Sequence, residues 1–321
     1  MIYVLSQDSD VSTDKVLRYL HIKNVPFFRF DLTYAIINRR LNVWVDKKGF
    51  CIKLYDYIIT KENLSQSVFW YRRQSSIKKC LKERLTDGNL FDLVYSEFVE
   101  LNNLFYLLLN DAKWLGKKRQ VNKIEMIYLA HKVGLNIPAT VVTGDKVILR
   151  DFCRKKENVI CKSIGNKFDF KYRNENYLVS PHLVFDIERL PKSFAHSMVQ
   201  TYIDKYMDIR IFYLCGMLFP FAIFSQEFDD TKIDFRINPK LRNGLRISLI
   251  CIPLDVQSKL IDFMNLASLD TGSIDMVYKD GEYIFLEVNP QGQFGGYAAA
   301  CGCDLYKVIA DKLIEKYHEN E

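Results

Sequence analysis

The stretch that decides the fold is TGSIDMVYKDGEYIFLEVNP, residues 271–290. Two runs rich in β-branched and aromatic residues flank Asp280-Gly281, and an Asp-Gly pair in that setting is a strong β-hairpin signal. Asp275 and Glu287 are almost equidistant from this turn, so they lie at nearly the same level of the predicted hairpin. Because side chains alternate along a strand, Glu287 and Asn289 point to one face, which Asp275 shares if the register fits.

The three polar side chains of this hairpin offer two carboxylates and an amide oxygen. Such a set of hard oxygen ligands suits Mg²⁺ that bridges nucleotide phosphates. The alternative interpretation is that they are ordinary polar groups on a solvated hairpin face. Ile284, Leu286 and Val288 alternate with them, and an Asn-Pro-x-Gly sequence ends the second strand. These neighbours favour the metal-site interpretation.

Length and composition are those of a globular protein with a sizeable core. The chain has 321 residues, 49% of them hydrophobic and 26% charged. It lacks an uncharged apolar run of about 18 to 20 residues, so we predict no membrane span. The first residues also lack the layout of a signal peptide. Eight cysteines without zinc spacing indicate reduced thiols, so we predict a soluble cytoplasmic protein.

The net charge of +6 is mild for this length. The basic residues form short clusters, and no nucleic-acid recognition motif accompanies them. An anionic ligand such as a nucleotide, or an acidic peptide, explains the charge balance equally well. We therefore predict neither a nucleic-acid partner nor a membrane partner.

The chain divides into three predicted lobes of an α/β (α+β) protein. Residues 1–115 form an α/β lobe that opens with strand, helix and strand, with Ser12 or Thr13 as the helix cap. Residues 116–205 form a middle lobe that includes a polar loop at 165–176. Residues 206–321 contain apolar strands, the hairpin and a terminal helix.

The run Phe285-Leu286-Glu287-Val288-Asn289-Pro290 resembles the metal-binding strand of the ATP-grasp superfamily. Residues 271–275 before it and 291–295 after it are similar to one branch, the graspetide macrocyclases of the microviridin and grasp-with-spasm types. The resemblance implies an ATP-grasp fold with an N-terminal α/β pre-ATP-grasp lobe. It extends over nearly the whole chain, through residues 1–31, 67–73 and 122–143.

The resemblance implies two ligands, ATP and Mg²⁺. It implies that Asp275, Glu287 and Asn289 hold the metal. The positions that it implies for the nucleotide are Lys123, Lys162, Gln200, Tyr202, Ile203 and Asp204. The two lysines would reach the phosphates, the hinge beginning at Gln200 would read adenine through its backbone, and Asp204 or Lys205 would lie near the ribose.

These nucleotide positions carry unequal support from the residues alone. A lysine within Val-Ile-Cys-Lys is unusual for a buried strand, which favours a function for Lys162. Lys123 alone is equally well explained as a surface charge on a helix. A Gly-rich phosphate loop is absent from the sequence.

The resemblance also implies a group of catalytic residues. Arg210 would point into the cleft, because a buried guanidinium needs an anionic partner. Arg236 would stabilise the transferred phosphate or the acyl phosphate, and Arg246 is left open for the same role. A base for the attacking hydroxyl is also needed. The candidates, which the sequence does not rank, are Asp208, Asp234 and Glu227.

The activity implied is ATP-dependent macrocyclisation of a ribosomally made precursor peptide. An Asp or Glu carboxylate becomes an acyl phosphate, and a Thr or Ser hydroxyl displaces phosphate to give an ω-ester. The implied partner has a leader and a core rich in Thr, Glu and Asp. Residues 167–182 are a candidate leader-docking region, although their aromatic residues are equally well explained by loop packing.

Three alternatives remain. The first is another ATP-grasp carboxylate–amine ligase, such as an ω-amide former or a glutamate ligase that acts on a protein or peptide. The second is a nucleotide-binding scaffold without catalysis, which the intact metal ligands disfavour. The third concerns the oligomeric state: the sequence is compatible with a homodimer but contains nothing that indicates one.

Overall fold

The computed structural model describes most of the chain. The described residues are 1–118, 122–154, 156, 158–165, 169–172, 175–178, 182–184, 186–227 and 244–319. They form two compact units: unit 1 is Met1–Lys118 with Cys303–Glu321, and unit 2 is Arg119–Gly302. The three predicted lobes are a different division of the chain and stay a prediction. No described helix is long and apolar enough to cross a bilayer.

Unit 1 contains seven described strands. They are β1 (Ile2–Leu5), β2 (Phe27–Phe30), β3 (Leu41–Asp46), β4 (Gly49–Leu54), β5 (Tyr57–Thr60), β6 (Val68–Tyr71) and β7 (Lys113–Leu115). Four of them form a parallel sheet in the order β2-β1-β6-β7. Parallel sheets are covered on both faces, which explains why the central strand β1 is a wholly buried apolar run. The other three form an antiparallel sheet in the order β3-β4-β5.

Six described helices belong to unit 1. They are α1 (Val11–Ile22), α2 (Leu32–Ile37), α3 (Lys61–Leu64), α4 (Ile77–Lys82), α5 (Gly88–Leu108) and α10 (Leu305–His318). The predicted cap of α1 is wrong: Asp10 is the cap, because its carboxylate accepts the N–H groups of Ser12 and Thr13. The terminal helix α10 packs on α1, and an ion pair of 2.7 Å joins Lys23 to Asp311.

Unit 2 contains the remaining strands. They are β8 (Thr140–Asp145), β9 (Val159–Lys162), β10 (Asp169–Tyr172), β11 (Glu175–Leu178), β12 (His182–Leu183), β13 (Ser193–Thr201), β14 (Met207–Leu214), β15 (Met217–Ile223), β16 (Ile247–Leu249), β17 (Thr271–Lys279) and β18 (Glu282–Asn289). One sheet has the order β12-β9-β13-β8 and another the order β16-β15-β14-β17-β18. The predicted polar loop at 165–176 is wrong in part, because β10 and β11 form a hairpin there. Phe170 and Tyr172 have the two-residue spacing of a strand, which the polar composition concealed.

Unit 2 contains four described α-helices, which are α6 (Lys123–Lys132), α7 (Lys146–Arg154), α8 (Leu254–Leu266) and α9 (Gly295–Ala300). Two of them, α6 and α8, cover one face of its five-stranded sheet. Alternate residues of β14, β17 and β18 pack with α6 and α8 in one apolar cluster that includes Ile211, Ile274 and Phe263. Helix α6 stops before Gly134, whose φ of +74° is left-handed. The opposite face of this sheet carries the polar residues predicted for the site.

Candidate nucleotide and metal site

A β-bulge determines which face of the sheet Glu287 occupies. Met276 pairs with Phe285 across the hairpin. The neighbouring Asp275 pairs with Glu287, which leaves Leu286 as an additional residue in β18. Asp275 and Glu287 are thus cross-strand neighbours. This is the register that the sequence prediction required for Asp275 to share a face with Glu287.

The bulge also reverses the alternation of faces along β18. Phe285 and Val288 are three residues apart and would point to opposite faces of a regular strand. Both lie in the same apolar cluster, so Glu287 and Asn289 point away from it. The predicted regular alternation is wrong at Leu286, because the bulge sets Leu286 and Glu287 side by side opposite one partner.

Arg210 lies directly beside this pair of carboxylates. It is opposite Asp275 in the β14–β17 register, and its Nη1 donates to Oδ1 of Asp275. The Arg210 side chain is 8% exposed and that of Asp275 is 16% exposed, so water screens the ion pair only weakly. The Nε of Arg210 is buried and has no hydrogen-bond partner among the described residues. A buried donor of this kind is suited to an anionic ligand.

A tight turn after β18 fixes Asn289. The Oδ1 of Asn289 accepts the N–H of Gln291 at 3.0 Å, and its carbonyl accepts the N–H of Gly292 at 3.0 Å. Ser273 is the strand partner of Asn289, and a Cβ on Gly292 would lie 2.3 Å from the Cβ of Ser273. Only glycine permits this approach, so Gly292 belongs to the site although only the Asn-Pro-x-Gly pattern had indicated it.

The residues present fit a magnesium ion. Among the described residues, no three His, Cys, Asp or Glu side chains group as a metal site. Asp275, Glu287 and Asn289 supply only oxygen atoms, which is the donor chemistry that Mg²⁺ requires. The unpaired Nε of Arg210 adds a place for an oxyanion beside them. The assignment of the three ligands stays a prediction.

Asp208 lies two residues before Arg210 on the same face of the sheet and is engaged through both carboxylate oxygens. Lys205 Nζ donates to Oδ1 at 2.7 Å, and Ser225 Oγ donates to Oδ2. Burial raises the pKa of Asp208, with Asp275 adding to the effect and Lys205 and Ser225 opposing it. These are the contacts of a positioning residue, whereas the predicted role as a base stays a prediction.

The four-stranded sheet of unit 2 presents a second set of predicted residues. Met198 pairs with Lys162, and Gln200 pairs with Thr140 on one side, so all four share a face. The opposite face packs against α7. Gln200 is 1% exposed; its Nε2 donates to Thr140 Oγ1 at 3.0 Å, and its Oε1 has no partner among the described residues.

Lys123 is brought to the end of the strand that carries Lys162. It is the first residue of α6, and its Nζ donates to the carbonyl of Ser163 at 3.3 Å. The two lysines predicted to reach phosphates therefore lie at one end of β9. The role of Lys123 in nucleotide binding stays a prediction.

The hinge residues leave β13 and lead to β14. The Tyr202 N–H donates to the Asn158 carbonyl at 2.9 Å, so this amide is already engaged. Ile203 is half-buried and Asp204 is exposed. Lys205 is buried against Asp208.

Of two predicted arginines, one lies within residues 228–243 and the other just after them. Arg236, together with the candidate base Asp234, lies outside the described residues. Arg246 has its guanidinium carbon 3.8 Å from the ring centroid of Phe224, and its carbonyl accepts the Phe224 N–H. Sequence reasoning missed Ser225 and Tyr297; the Tyr297 ring centroid lies 6.0 Å from the Arg210 guanidinium carbon. Neither residue has a sequence pattern of its own, because each is defined by its contact with β14.

Solved structures similar to this chain are reported as ligases and macrocyclases. A RiPP-associated ATP-grasp ligase of Chryseobacterium gregarium, in complex with ADP and a leader and core peptide, is 24% identical, with a TM-score of 0.83 over 98% of this chain and 96% of that chain. The macrocyclase MdnC of Microcystis aeruginosa MRC, bound with precursor peptide MdnA, is 21% identical, with a TM-score of 0.78 over 98% and 99%.

A third match is the ATP-grasp ligase PsnB complexed with minimal precursor, Mg and ADP. It is 18% identical, with a TM-score of 0.74 over 98% of this chain and 97% of that chain. No protein-family model and no curated protein sequence matches the chain. The structural matches show that this chain has the ATP-grasp fold, which confirms the predicted fold class.

Proposed function

We propose that this chain is an ATP-dependent macrocyclase of a ribosomally made precursor peptide, which joins Asp or Glu carboxylates to Thr or Ser hydroxyls as ω-esters. The observation that carries the proposal is the extent of the structural match. Ligases reported with precursor peptides match 98% of the chain, so the similarity includes unit 1 as well as the elements that hold the site.

ATP is a substrate in this proposal. The terminal phosphoryl group passes to a side-chain carboxylate of the peptide, which gives an acyl phosphate and ADP. A hydroxyl of the same peptide then attacks the acyl carbon, and phosphate leaves. The ring closes with the net loss of one water from the peptide. With a lysine amine in place of the hydroxyl, the same steps give an amide.

The site geometry supports this chemistry through charge placement. Mg²⁺ held by Asp275, Glu287 and Asn289 would neutralise charge on the phosphates. Arg210 is held by Asp275 with its Nε buried and unpaired among the described residues, so it can donate to the phosphoryl or carboxylate oxygens. Lys123 and Lys162 supply further cations at the end of β9.

Asp208 supports Arg210 in the same strand. Its two oxygens bind Lys205 and Ser225, which fixes the start of β14 and the end of β15 relative to each other. Arg210 follows two residues later and is therefore held in register with Asp275. We assign Asp208 this positioning role.

The test mixes the purified chain, Mg²⁺ and ATP with a candidate precursor peptide that has a leader and a core rich in Thr, Glu and Asp. Mass spectrometry should show loss of one water per ring together with release of ADP. Mild alkaline hydrolysis should restore the original mass if the links are esters, whereas amides would resist it. ATP turnover that adds free glutamate or another amino acid would instead indicate a different carboxylate–amine ligase and would falsify the proposal.

A further inference from the structure

The parallel sheet of unit 1 has a topological switch point between its two central strands. In the order β2-β1-β6-β7, the chain passes from β1 through α1 to β2 on one side, and from β6 through α4 and α5 to β7 on the other. In open sheets of this kind, ligands bind outside the carboxyl ends of the strands at the switch point. The residues there are those that follow Leu5 in β1 and Tyr71 in β6. The candidate nucleotide and metal site belongs to unit 2 and uses none of them.

Two arginines that follow β6 share one carboxylate that follows β1. The Nε of Arg72 lies 3.3 Å from Oδ2 of Asp10, and the Nε of Arg73 lies 3.9 Å from the same oxygen. The other oxygen of Asp10 already accepts the N–H groups of Ser12 and Thr13 at the start of α1. One negative charge thus faces two guanidinium groups and the positive end of a helix dipole. The carboxyl ends of β1 and β6 therefore carry a surplus of positive charge.

The loop after β6 is held in place by side-chain hydrogen bonds. Gln74 donates through Nε2 to Oδ1 of buried Asn102 at 2.7 Å and accepts the hydroxyl of Tyr106 through Oε1 at 3.1 Å. The N–H of Ser75 donates to Oδ2 of buried Asp31 at 3.0 Å. The two arginines directly before these residues are therefore presented by a segment that is fixed before any ligand arrives, which lowers the cost of binding.

Of the two arginines, Arg73 is the one that a ligand can reach. Its side chain is 39% exposed, whereas that of Arg72 is 4% exposed. The 3.9 Å between Arg73 and Asp10 exceeds the length of a hydrogen bond, so this carboxylate does not use the donors of the Arg73 guanidinium. A planar guanidinium with donors to spare is suited to bidentate binding of a carboxylate. Arg72 neutralises Asp10 in the interior, and Arg73 retains its charge for a ligand.

We propose that Arg73 binds a side-chain carboxylate of the peptide substrate at a subsite formed by unit 1. This inference rests on the proposed function, which supplies a peptide whose core is rich in Asp and Glu. Two guanidinium groups and one carboxylate leave a single positive charge, which one peptide carboxylate balances. A phosphate monoester carries nearly two negative charges at neutral pH and would be only partly neutralised. The ligand is therefore a carboxylate, and unit 1 takes part in selecting the peptide.

The test measures binding of a labelled precursor peptide to the full chain by fluorescence anisotropy, without ATP. The peptide has a leader and an acidic core, and in a series of variants each core Asp or Glu is changed in turn to Asn or Gln. Wild type should bind one of these variants about tenfold more weakly, because a charge-assisted bidentate contact is lost. Arg73→Gln should bind the unchanged peptide about tenfold more weakly and should no longer distinguish it from that variant.

The matched control is Arg18→Gln, which removes the same charge from an exposed position on α1. It should bind every peptide as wild type does, and circular dichroism should show that both variants are folded. Arg73→Lys keeps the charge but not the planar donor pair, so it should recover only part of the lost affinity. Equal affinities of wild type and Arg73→Gln for the unchanged peptide would overturn the subsite. Binding of inorganic phosphate that Arg73→Gln abolishes, with peptide affinity unchanged, would overturn it as well.

A parallel assay of ring formation separates this inference from the proposed function. Ring formation by wild type, together with unchanged peptide affinity in Arg73→Gln, would remove the subsite and leave the function standing. Loss of discrimination at one core carboxylate in Arg73→Gln, without ring formation by wild type, would support the subsite and contradict the function.

Discussion

The two faces of the five-stranded sheet in unit 2 are made by alternate residues of the same strands, and they differ in chemistry. One face packs Ile211, Ile274 and Phe285 against α6 and α8. The other joins Arg210 and Asp275 in a shielded ion pair. Removing the apolar face from water lowers the free energy of the folded state, whereas removing the polar face from water raises it. We infer that the first face stabilises the fold and that the second is retained for chemistry.

The largest expected effect lies on the apolar face. Phe285 is 0% exposed and its ring contacts Phe263, with centroids 4.8 Å apart. Phe285→Ala should lower the free energy of unfolding by about 3–5 kcal/mol, because it removes the ring and leaves a cavity. Urea denaturation measures the change. Leu266→Ala, at a residue 46% exposed on α8, is the control and should change it by only about 0.5 kcal/mol.

The next effect lies on the polar face and concerns activity. Glu287→Gln should reduce peptide-dependent ADP release about 10²–10³-fold, since it removes one carboxylate from the predicted metal site. The free energy of unfolding should stay within about 0.5 kcal/mol of wild type. Glu282→Gln, in the same strand at the exposed turn, should leave both quantities unchanged. Full activity in Glu287→Gln would remove this residue from the site.

A smaller effect is expected where the turn after β18 closes on the sheet. Gly292→Ala should lower the free energy of unfolding by about 1–3 kcal/mol, because the added methyl group overlaps the Ser273 side chain. Activity should fall with it, since Asn289 is held by the same turn. Gly296→Ala is the matched control: outside its chain neighbours and its own helix backbone, no described atom lies within 4 Å of the added Cβ, so the change should be neutral or slightly stabilising. Equal melting temperatures for the two variants would contradict the overlap.

The smallest effect is a pH dependence at Asp208. Burial raises its pKa in the folded state, so the stability linked to this carboxyl is fully present below the ordinary carboxyl pKa. That stability is lost as the pH rises through the raised value. Wild type should therefore gain stability relative to Asp208→Asn as the pH is lowered from neutrality. Denaturation of both proteins across that range measures the difference, and a difference independent of pH would contradict the shift.

Local patterns in the sequence predicted much of the five-stranded sheet but not the β-bulge at Leu286. The Asp-Gly turn correctly indicated the hairpin, and apolar runs correctly indicated β1, β14 and β15. The additional residue Leu286 was not foreseen, because a bulge is selected by how Phe285 and Val288 pack against α6 and α8 rather than by their own propensities.

Two residues of the candidate site were not predicted because their contacts join residues that are far apart in the sequence. Ser225 binds Asp208 across 17 positions, and Tyr297 lies near Arg210 across a longer separation. Neither contact has a local signal, since only the folded sheet brings the partners together. The cap of α1 was missed for a simpler reason. Ser12 and Thr13 are good capping residues by type, but Asp10 precedes them and accepts both of their N–H groups.

The return of α10 to unit 1 sets an order of events during synthesis. Leu305, Ile309 and Leu313 are buried in a helix that packs on α1, near the start of the chain. A ribosome completes all of unit 2 before it makes this helix. Unit 2 can therefore fold while unit 1 still lacks one of its layers, which reverses the usual sequence in which the N-terminal part folds first. Strand β1 is therefore made before unit 2, but the unit to which it belongs is completed after unit 2.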